Sequence, residues 1–161
     1  MRNEALVNEI LGRFQERFAG TEVVIWNPRR LYITVPKEEI VAAARFMFRD
    51  IGCRLSICTG TDTRDGFEIL YHFSHDQSGV IFSLRTLVPK DNPRIASITP
   101  AVPAANWIER EMKELLGIEF EGHPNPVPLL TSDVDWEPGK FPLRRDYDAE
   151  ADVKPKPWDK P

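Results

Sequence analysis

Proline decides where this chain can hold regular structure. Fourteen of the 161 residues are proline, and eight of those lie from Pro124 onward. A proline inside a helix or a central strand removes a backbone hydrogen bond and clashes with the preceding turn. The chain therefore divides into a regular part, residues 1–121, and an extended, proline-rich part, residues 122–161, whose apolar residues follow neither helical nor strand period. Its last stretch, KPKPWDKP, reads as extended backbone.

Periodicity in the regular part predicts an α+β fold. Val7, Ile10, Leu11, Phe14 and Phe18 recur at helical spacing, so residues 4–18 read as an amphipathic helix that Ala19-Gly20 stops. Glu22–Trp26 and Leu31–Val35 read as two short strands joined by a turn at Asn27-Pro28-Arg29-Arg30. Pro36 stands where a helix can begin, and Ile40, Ala44, Met47, Phe48 and Ile51 form one stripe of a helix over about 37–50, ended by Gly52. Three strands follow: Cys53–Cys58 with Leu55 and Ile57 alternating against Arg54 and Ser56, then Phe67–Ser74, then Val80–Leu84. Gly60–Gly66 and Ser74–Gly79 supply the turns. The order of helix, hairpin, helix and three strands predicts a mostly antiparallel sheet with helices covering one face. Pro89–Pro103 reads as an ordered linker into a helix from about Pro103 to Leu116, with Gly117 as its C-cap.

Composition narrows the function classes. No apolar run approaches the roughly 20 residues that span a bilayer, and MRNEALVNEILGRF lacks the continuous apolar core of a signal peptide, so the expected location is cytoplasmic. A net charge of −4 argues against a nucleic-acid partner while leaving room for a local basic patch. Two cysteines make no disulfide framework. Cys53 and Cys58 stand an odd number of residues apart in one apparent strand, so they are expected on opposite faces, and a usual iron–sulfur cluster needs four thiolates. A zinc site built from His72, His75 and His123 needs further ligands. There is no G-x-G-x-x-G, P-loop lysine motif or nucleophile elbow, so no flavin, nicotinamide or nucleotide site is expected in this chain.

The densest charge pattern lies in IEREMKELLGIEFEGHP, Ile108–Pro124, and in PLRRDY, Pro142–Tyr147. On a helical wheel Ile108, Met112, Leu115 and Leu116 share a face, Glu109 and Glu111 flank it on opposite sides, and Arg110, Lys113 and Glu114 point away. Two acids bracketing an apolar stripe suit a packing seam, where they bond amides or arginines. The same pattern fits a solvated amphipathic helix. A third possibility is a small acid–base enzyme using Glu109, Glu111 and His123, which requires a pocket and a tuned carboxyl.

Glu109-Arg110-Glu111, Glu114, Leu115-Leu116-Gly117-Ile118, Phe120 and Gly122-His123-Pro124 match the signature of one family almost position by position. Leu129-Leu130, Trp136 and Pro142-Leu143-Arg144-Arg145-Asp146-Tyr147 follow at its approximate spacing, and Pro89-Lys90-Asp91-Asn92-Pro93 with Ile95–Ile98 resembles its linker. The chain thus resembles the thirty-kilodalton subunit of respiratory complex I and its counterpart in membrane-bound hydrogenases. The likeness spans roughly residues 67–147. The short length, the PKDNP linker and departures at Lys113, Glu114, Leu116 and Val127 look more like the small subunit of energy-converting nickel–iron hydrogenases than like respiratory members. The resemblance implies a structural subunit of a peripheral arm, with no cofactor of its own. Iron–sulfur clusters and a nickel–iron site are expected in partner subunits, namely a hydrogenase-like large subunit and iron–sulfur subunits. Association with the inner face of the cell membrane would then be indirect. It also implies subunit-interface roles for Glu109, Arg110, Glu111, Glu114, Gly122, His123, Pro124, Trp136, Pro142, Leu143, Arg144, Arg145, Asp146 and Tyr147. In the extended segment, Trp136, Phe141, Leu143, Tyr147 and Trp158 are spaced as anchors for partner pockets, and Arg144 and Arg145 as forks for carboxylates.

Overall fold

A computed structural model describes residues 2–130 and 139–148. The N-terminal stripe forms α1 (Arg2–Arg17), where Ile10 and Phe14 are buried, as is Phe18 just beyond it. The hairpin is β1 (Glu22–Asn27) and β2 (Arg30–Thr34), paired antiparallel. Pro36 opens a single turn, with its carbonyl accepting the Glu39 amide, before α2 (Ile40–Arg45). That helix widens into a π-helical turn, Phe46–Asp50, closed by the Ile51 amide on the Phe46 carbonyl. The rings of Phe14, Phe18 and Phe46 pack edge to tilted with centroids 4.7–5.9 Å apart, which joins α1 to α2.

β3 (Arg54–Asp62), β4 (Phe67–His75) and β5 (Val80–Val88) are longer than the alternation alone predicts. Gly60 thus lies inside β3, and the turn begins only at Thr63. The five strands order as β1-β2-β5-β4-β3, antiparallel except where β2 runs parallel to β5. The register lines Ile33 with Leu84, Leu84 with Tyr71, and Tyr71 with Cys58 across one face. Side chains of all the helices join that face in one buried cluster. The α+β class, the mostly antiparallel sheet and its one-sided helical cover are therefore as the sequence predicts. The opposite face carries half-buried residues and an exposed Ile57 and Leu87.

Two local readings fail. The pairing of β3 with β4 slips between Leu55 and Ile57. This bulge resets the alternation, so Leu55 and Cys58 are both buried and Ile57 is 53% exposed. The opposite-faces argument for Cys53 and Cys58 falls with it, since both thiols are buried. The linker also holds a strand that periodicity did not suggest: β6 (Arg94–Ala96) pairs in parallel with β7 (Glu119–Glu121). Three residues are too few to show a period, but Ile95 and Phe120 meet there and are buried. Between them lies α3 (Asn106–Leu116), led in by a 3-10 turn at Pro103–Ala105. The segments 122–130 and 139–148 contain no helix or strand.

Burial, and secondarily the Asp76 charge, pushes the Cys53 thiol up to about 12. Burial and then Glu109 raise Cys58 further still. Because only the thiolate reacts, neither cysteine should be modified by a water-soluble disulfide reagent at pH 8 in the folded chain. Both should react in denaturant. Rapid labelling of either thiol in the native state would contradict this burial.

Candidate functional site

The signature residues converge on α3. This helix approaches β3 where the strand offers no side chain: a Cβ on Gly60 would lie 2.7 Å from Leu116 Cδ1 and 2.9 Å from Met112 Sδ. The buried line of α3 is Glu109, Met112 and Leu116, so Glu109 occupies the centre of the apolar stripe and does not flank it. Ile108 is only half-buried. The wheel misassigned Glu109 because it weighed polarity and could not see a polar socket.

That socket is the loop after β6. The Glu109 side chain is fully buried. Its Oε2 accepts the Ser97 hydroxyl at 2.5 Å and the Thr99 hydroxyl at 2.7 Å, and its Oε1 accepts the Ile98 amide at 2.8 Å. The Thr99 amide in turn donates to Ser97 Oγ. Burial raises the Glu109 carboxyl above its usual 4.5, against the pull of these donors and of His123. Burial also raises the Tyr71 phenol, and the Glu109 charge raises it further; the Tyr71 hydroxyl itself meets no partner at hydrogen-bond geometry.

The outward residues of α3 hold the proline-rich path as a strap. His123 Nε2 donates to the Asn106 carbonyl at 3.1 Å. Arg110 donates from Nε to the Val127 carbonyl at 2.7 Å and from Nη2 to the Pro128 carbonyl at 2.9 Å. Glu114 accepts the Leu130 amide at 2.8 Å. Asn106, Arg110 and Glu114 are spaced i, i+4, i+8, so a single stripe of the helix meets the strap three times. Proline suits this path because the bonds use its carbonyls and need no proline N–H.

Residues 139–148 close the other end of α3. The Leu143 amide donates to the Leu115 carbonyl at 3.0 Å, and Arg144 Nε donates to the Leu116 carbonyl at 2.6 Å, capping two of the helix's last carbonyls. The Arg144 guanidinium stacks 4.2 Å from the Phe141 centroid and 5.1 Å from that of Phe67. Gly117, at φ 71°, leaves room for it, since a Cβ there would lie 2.5 Å from Arg144 Nη2. The Arg145 amide donates to Asp62 Oδ2 at 3.0 Å, and Lys90 Nζ lies 2.5 Å from Asp62 Oδ1. Burial would raise the Asp62 carboxyl, but the Arg145 amide and the Lys90 ammonium outweigh it and hold the group below its usual value.

The signature thus separates into classes of residue. Glu109 and the His123 side chain are buried, and Arg110, Glu114, Pro142, Arg144 and Tyr147 are half-buried. Glu111, Gly122, Pro124, Leu143, Arg145 and Asp146 are exposed, and Trp136 lies outside the described residues. Sequence reasoning missed Ser97, Ile98 and Thr99 as the socket, and it missed Trp107. Trp107 is 69% exposed, four residues before exposed Glu111 on the outward side of α3; that i, i+4 pairing was available in the sequence. The histidines do not gather: His72 bonds Ser83 and Thr59, His75 bonds Ser78, and His123 joins α3. Among the described residues no cluster of histidine, cysteine and carboxylate side chains forms a metal-ligand set. A cleft of about 510 Å³ opens between α1 and the β1–β2 hairpin, lined by Val7, Ile25, Leu31 and Arg29 among others, and no signature residue lines it.

Comparison with known proteins agrees with this layout. A family model described as the respiratory-chain NADH dehydrogenase 30 Kd subunit matches residues 33–153. An F(420)H(2) dehydrogenase subunit from Methanosarcina mazei is 32% identical over 152 residues, covering 92% of this chain and 94% of that protein. The beta subunit of the membrane-bound hydrogenase from Pyrococcus furiosus is 30% identical over 145 residues, covering 85% of this chain and 83% of that protein. A chain in the structure of the membrane-bound sulfane sulfur reductase, an archaeal respiratory membrane complex, superposes with a TM-score of 0.75 at 26% identity, covering 89% of this chain and 86% of that one.

The socket makes a pH-dependent prediction. Glu109→Ala leaves Ser97, Thr99 and Ile98 without their acceptor around a cavity and should cost about 2–4 kcal/mol. Glu109→Gln keeps an acceptor and removes the ionisation. Because the folded carboxyl is raised, the stability it contributes is complete below about 4.5 and is lost as pH rises through the folded value. In urea melts the native chain should therefore lose stability relative to Glu109→Gln as pH climbs from 4 toward neutrality. A constant difference would mean that the carboxyl is not raised. At the other end of the helix, Arg144→Ala removes a stacked, charge-assisted cap and should cost about 2–3 kcal/mol in the same assay. An unchanged melt would show that the cap contributes nothing to the fold.

Proposed function

The chain belongs to the family of the respiratory-chain NADH dehydrogenase 30 kDa subunit, and from that membership we propose that it is a non-catalytic structural subunit in the peripheral arm of a membrane-bound, energy-converting nickel–iron hydrogenase. In this reading it supports electron transfer from ferredoxin to protons coupled to ion translocation. Electrons pass through iron–sulfur clusters and a nickel–iron centre held by the partners, a hydrogenase-like large subunit and iron–sulfur subunits. The chain sits at the cytoplasmic face of the membrane through those partners. No helix of the described residues is long and apolar enough to cross a bilayer.

The observation that carries the framework role is where the signature spends its hydrogen bonds. Glu109, Arg110, Glu114 and Arg144 bond hydroxyls and backbone groups of their own chain. Around those bonds the scaffold exposes large apolar side chains: Trp107, Val127, Leu130 and Leu143 are each more than half exposed, all on α3 or the segments it holds. Exposed aromatic and aliphatic side chains on a rigid base are the usual core of a subunit interface. The hydrogenase branch is supported against the quinone-oxidoreductase subunits by length, since the chain covers 83% of the Pyrococcus hydrogenase subunit but 53–73% of several NADH-quinone oxidoreductase subunits C. A second reading, a subunit of a dehydrogenase or quinone-reducing relative of complex I, is favoured by the 94% coverage of the Methanosarcina dehydrogenase subunit.

Purification of the complex through a tag on this chain distinguishes the two. The hydrogenase reading expects nickel in the purified assembly and hydrogen evolution from reduced ferredoxin. Reduction of a quinone analogue without nickel would replace it with the second reading. Trp107→Glu should fold normally, since the side chain is exposed, yet lose the large subunit on purification. Retention of every partner by that variant would remove α3's outward line from the interface.

A further inference from the structure

The His123 ring is wedged between a group that can only accept and a group that can only donate. Its side chain is 2% exposed. Nε2 faces the Asn106 carbonyl at 3.1 Å, and the Asn125 amide points its N–H at Nδ1, also at 3.1 Å. Both bonds form together only in the neutral ring with its proton on Nε2. His123 thus ties α3 to the first residues of the strap through one specific proton state.

A second proton has one place to go, Nδ1. There it meets the Asn125 N–H, donor against donor, and the acceptor that held Asn125 is gone. The neighbouring groups do not repair that loss. From α3, Glu109 Oε2 lies 3.9 Å from Nε2, on the far side of the ring from Asn125. From there it cannot replace the Nδ1 acceptor. Beyond Glu109 stand Tyr71 from β4 and Cys58 from β3, both felt by its charge, and the hydroxyls of Ser97 and Thr99 from the loop after β6. Arg110 and Glu114 hold the strap at Val127, Pro128 and Leu130, so only its beginning depends on the ring.

We propose that His123 is a proton-operated latch for the start of the strap: the neutral ring closes Asn125 against α3, and protonation at Nδ1 releases it while the Arg110 and Glu114 anchors stay shut. The strap carries exposed Val127 and Leu130, so acidification would loosen part of the surface assigned above to the large subunit. That consequence rests on the interface reading, whereas the latch is a property of the chain alone.

The test uses the full chain, labelled with ¹⁵N, and the variant His123→Gln, whose amide offers one donor and one acceptor and does not titrate. Long-range ¹⁵N–¹H correlation at high pH should show the His123 ring as the Nε2–H tautomer. As the ring titrates, the Asn125 amide should exchange about tenfold faster in the native chain than in His123→Gln at the same pH, the scale of one lost hydrogen bond. The Leu130 amide should exchange alike in both. An Nδ1–H tautomer, or Asn125 protection that ignores the ring's titration, would overturn the latch. Should His123→Gln fail to fold, the tautomer and the Asn125 amide shift across the native titration decide the matter. Large-subunit retention, measured separately at two pH values, separates the readings: undiminished binding at both speaks against the interface and leaves the latch standing.

Discussion

The carboxylate of Glu109 and its socket fix α3, and the described segments that follow it, residues 122–130 and 139–148, are bonded to α3. A helix of eleven residues has little stability in isolation. Its apolar line supplies burial against β3, but burial alone does not set the rotation or axial position of a short helix. The bonds from Ser97, Ile98 and Thr99 do, because they converge on two oxygens from fixed directions. Gly60 removes the side chain that would hold the helix off the sheet. Once the helix is seated, Asn106 meets the His123 side chain, and Arg110 and Glu114 stand one and two turns further on, where the strap's backbone needs partners.

That arrangement changes the meaning of the charge pattern. A dense run of charged residues on a short helix suggests contacts with another protein. Here the paired charges are largely consumed within the chain, and they convert a proline-rich segment with no period of its own into a fixed surface. Preorganisation of this kind lowers the ordering cost that a partner would otherwise meet on docking. In the described parts, residues 122–130 and 139–148 make specific bonds to α3, its cap Gly117 and β3.

What the sequence disclosed follows from how local each signal is. The alternation of Phe67, Ile69, Tyr71 and Phe73 is a property of β4 alone, and the structure buries all four. Gly117 after a helical stripe needs no tertiary information either, and it takes the left-handed φ expected of a C-cap. The signature residues were found by resemblance, which locates them without saying what they touch. The failures are all non-local. The bulge beside Ser56 is defined only by the slip of β3 against β4, and it turns Ile57 outward and Cys58 inward. The β6–β7 pair joins residues more than twenty positions apart through three-residue strands. The burial of Glu109 depends on a loop ten residues upstream, so a hydropathy wheel pushes it toward solvent.

Why the helix is seated by a carboxyl at all, when a leucine would bury more apolar surface, is a question of specificity. Desolvation makes such a group costly, as the upward shift of Glu109 shows. A leucine there would leave the Ile98 amide without an acceptor and would let α3 slide by a turn with little loss, since Met112 and Leu116 pack adaptably over Gly60. A carboxyl with three converging donors admits one register. For a chain whose outward surface is built from a strap bonded to the helix at three points, a one-turn slip would misplace every anchor together. The buried acid therefore trades some stability for a single register of α3 and of the strap it holds.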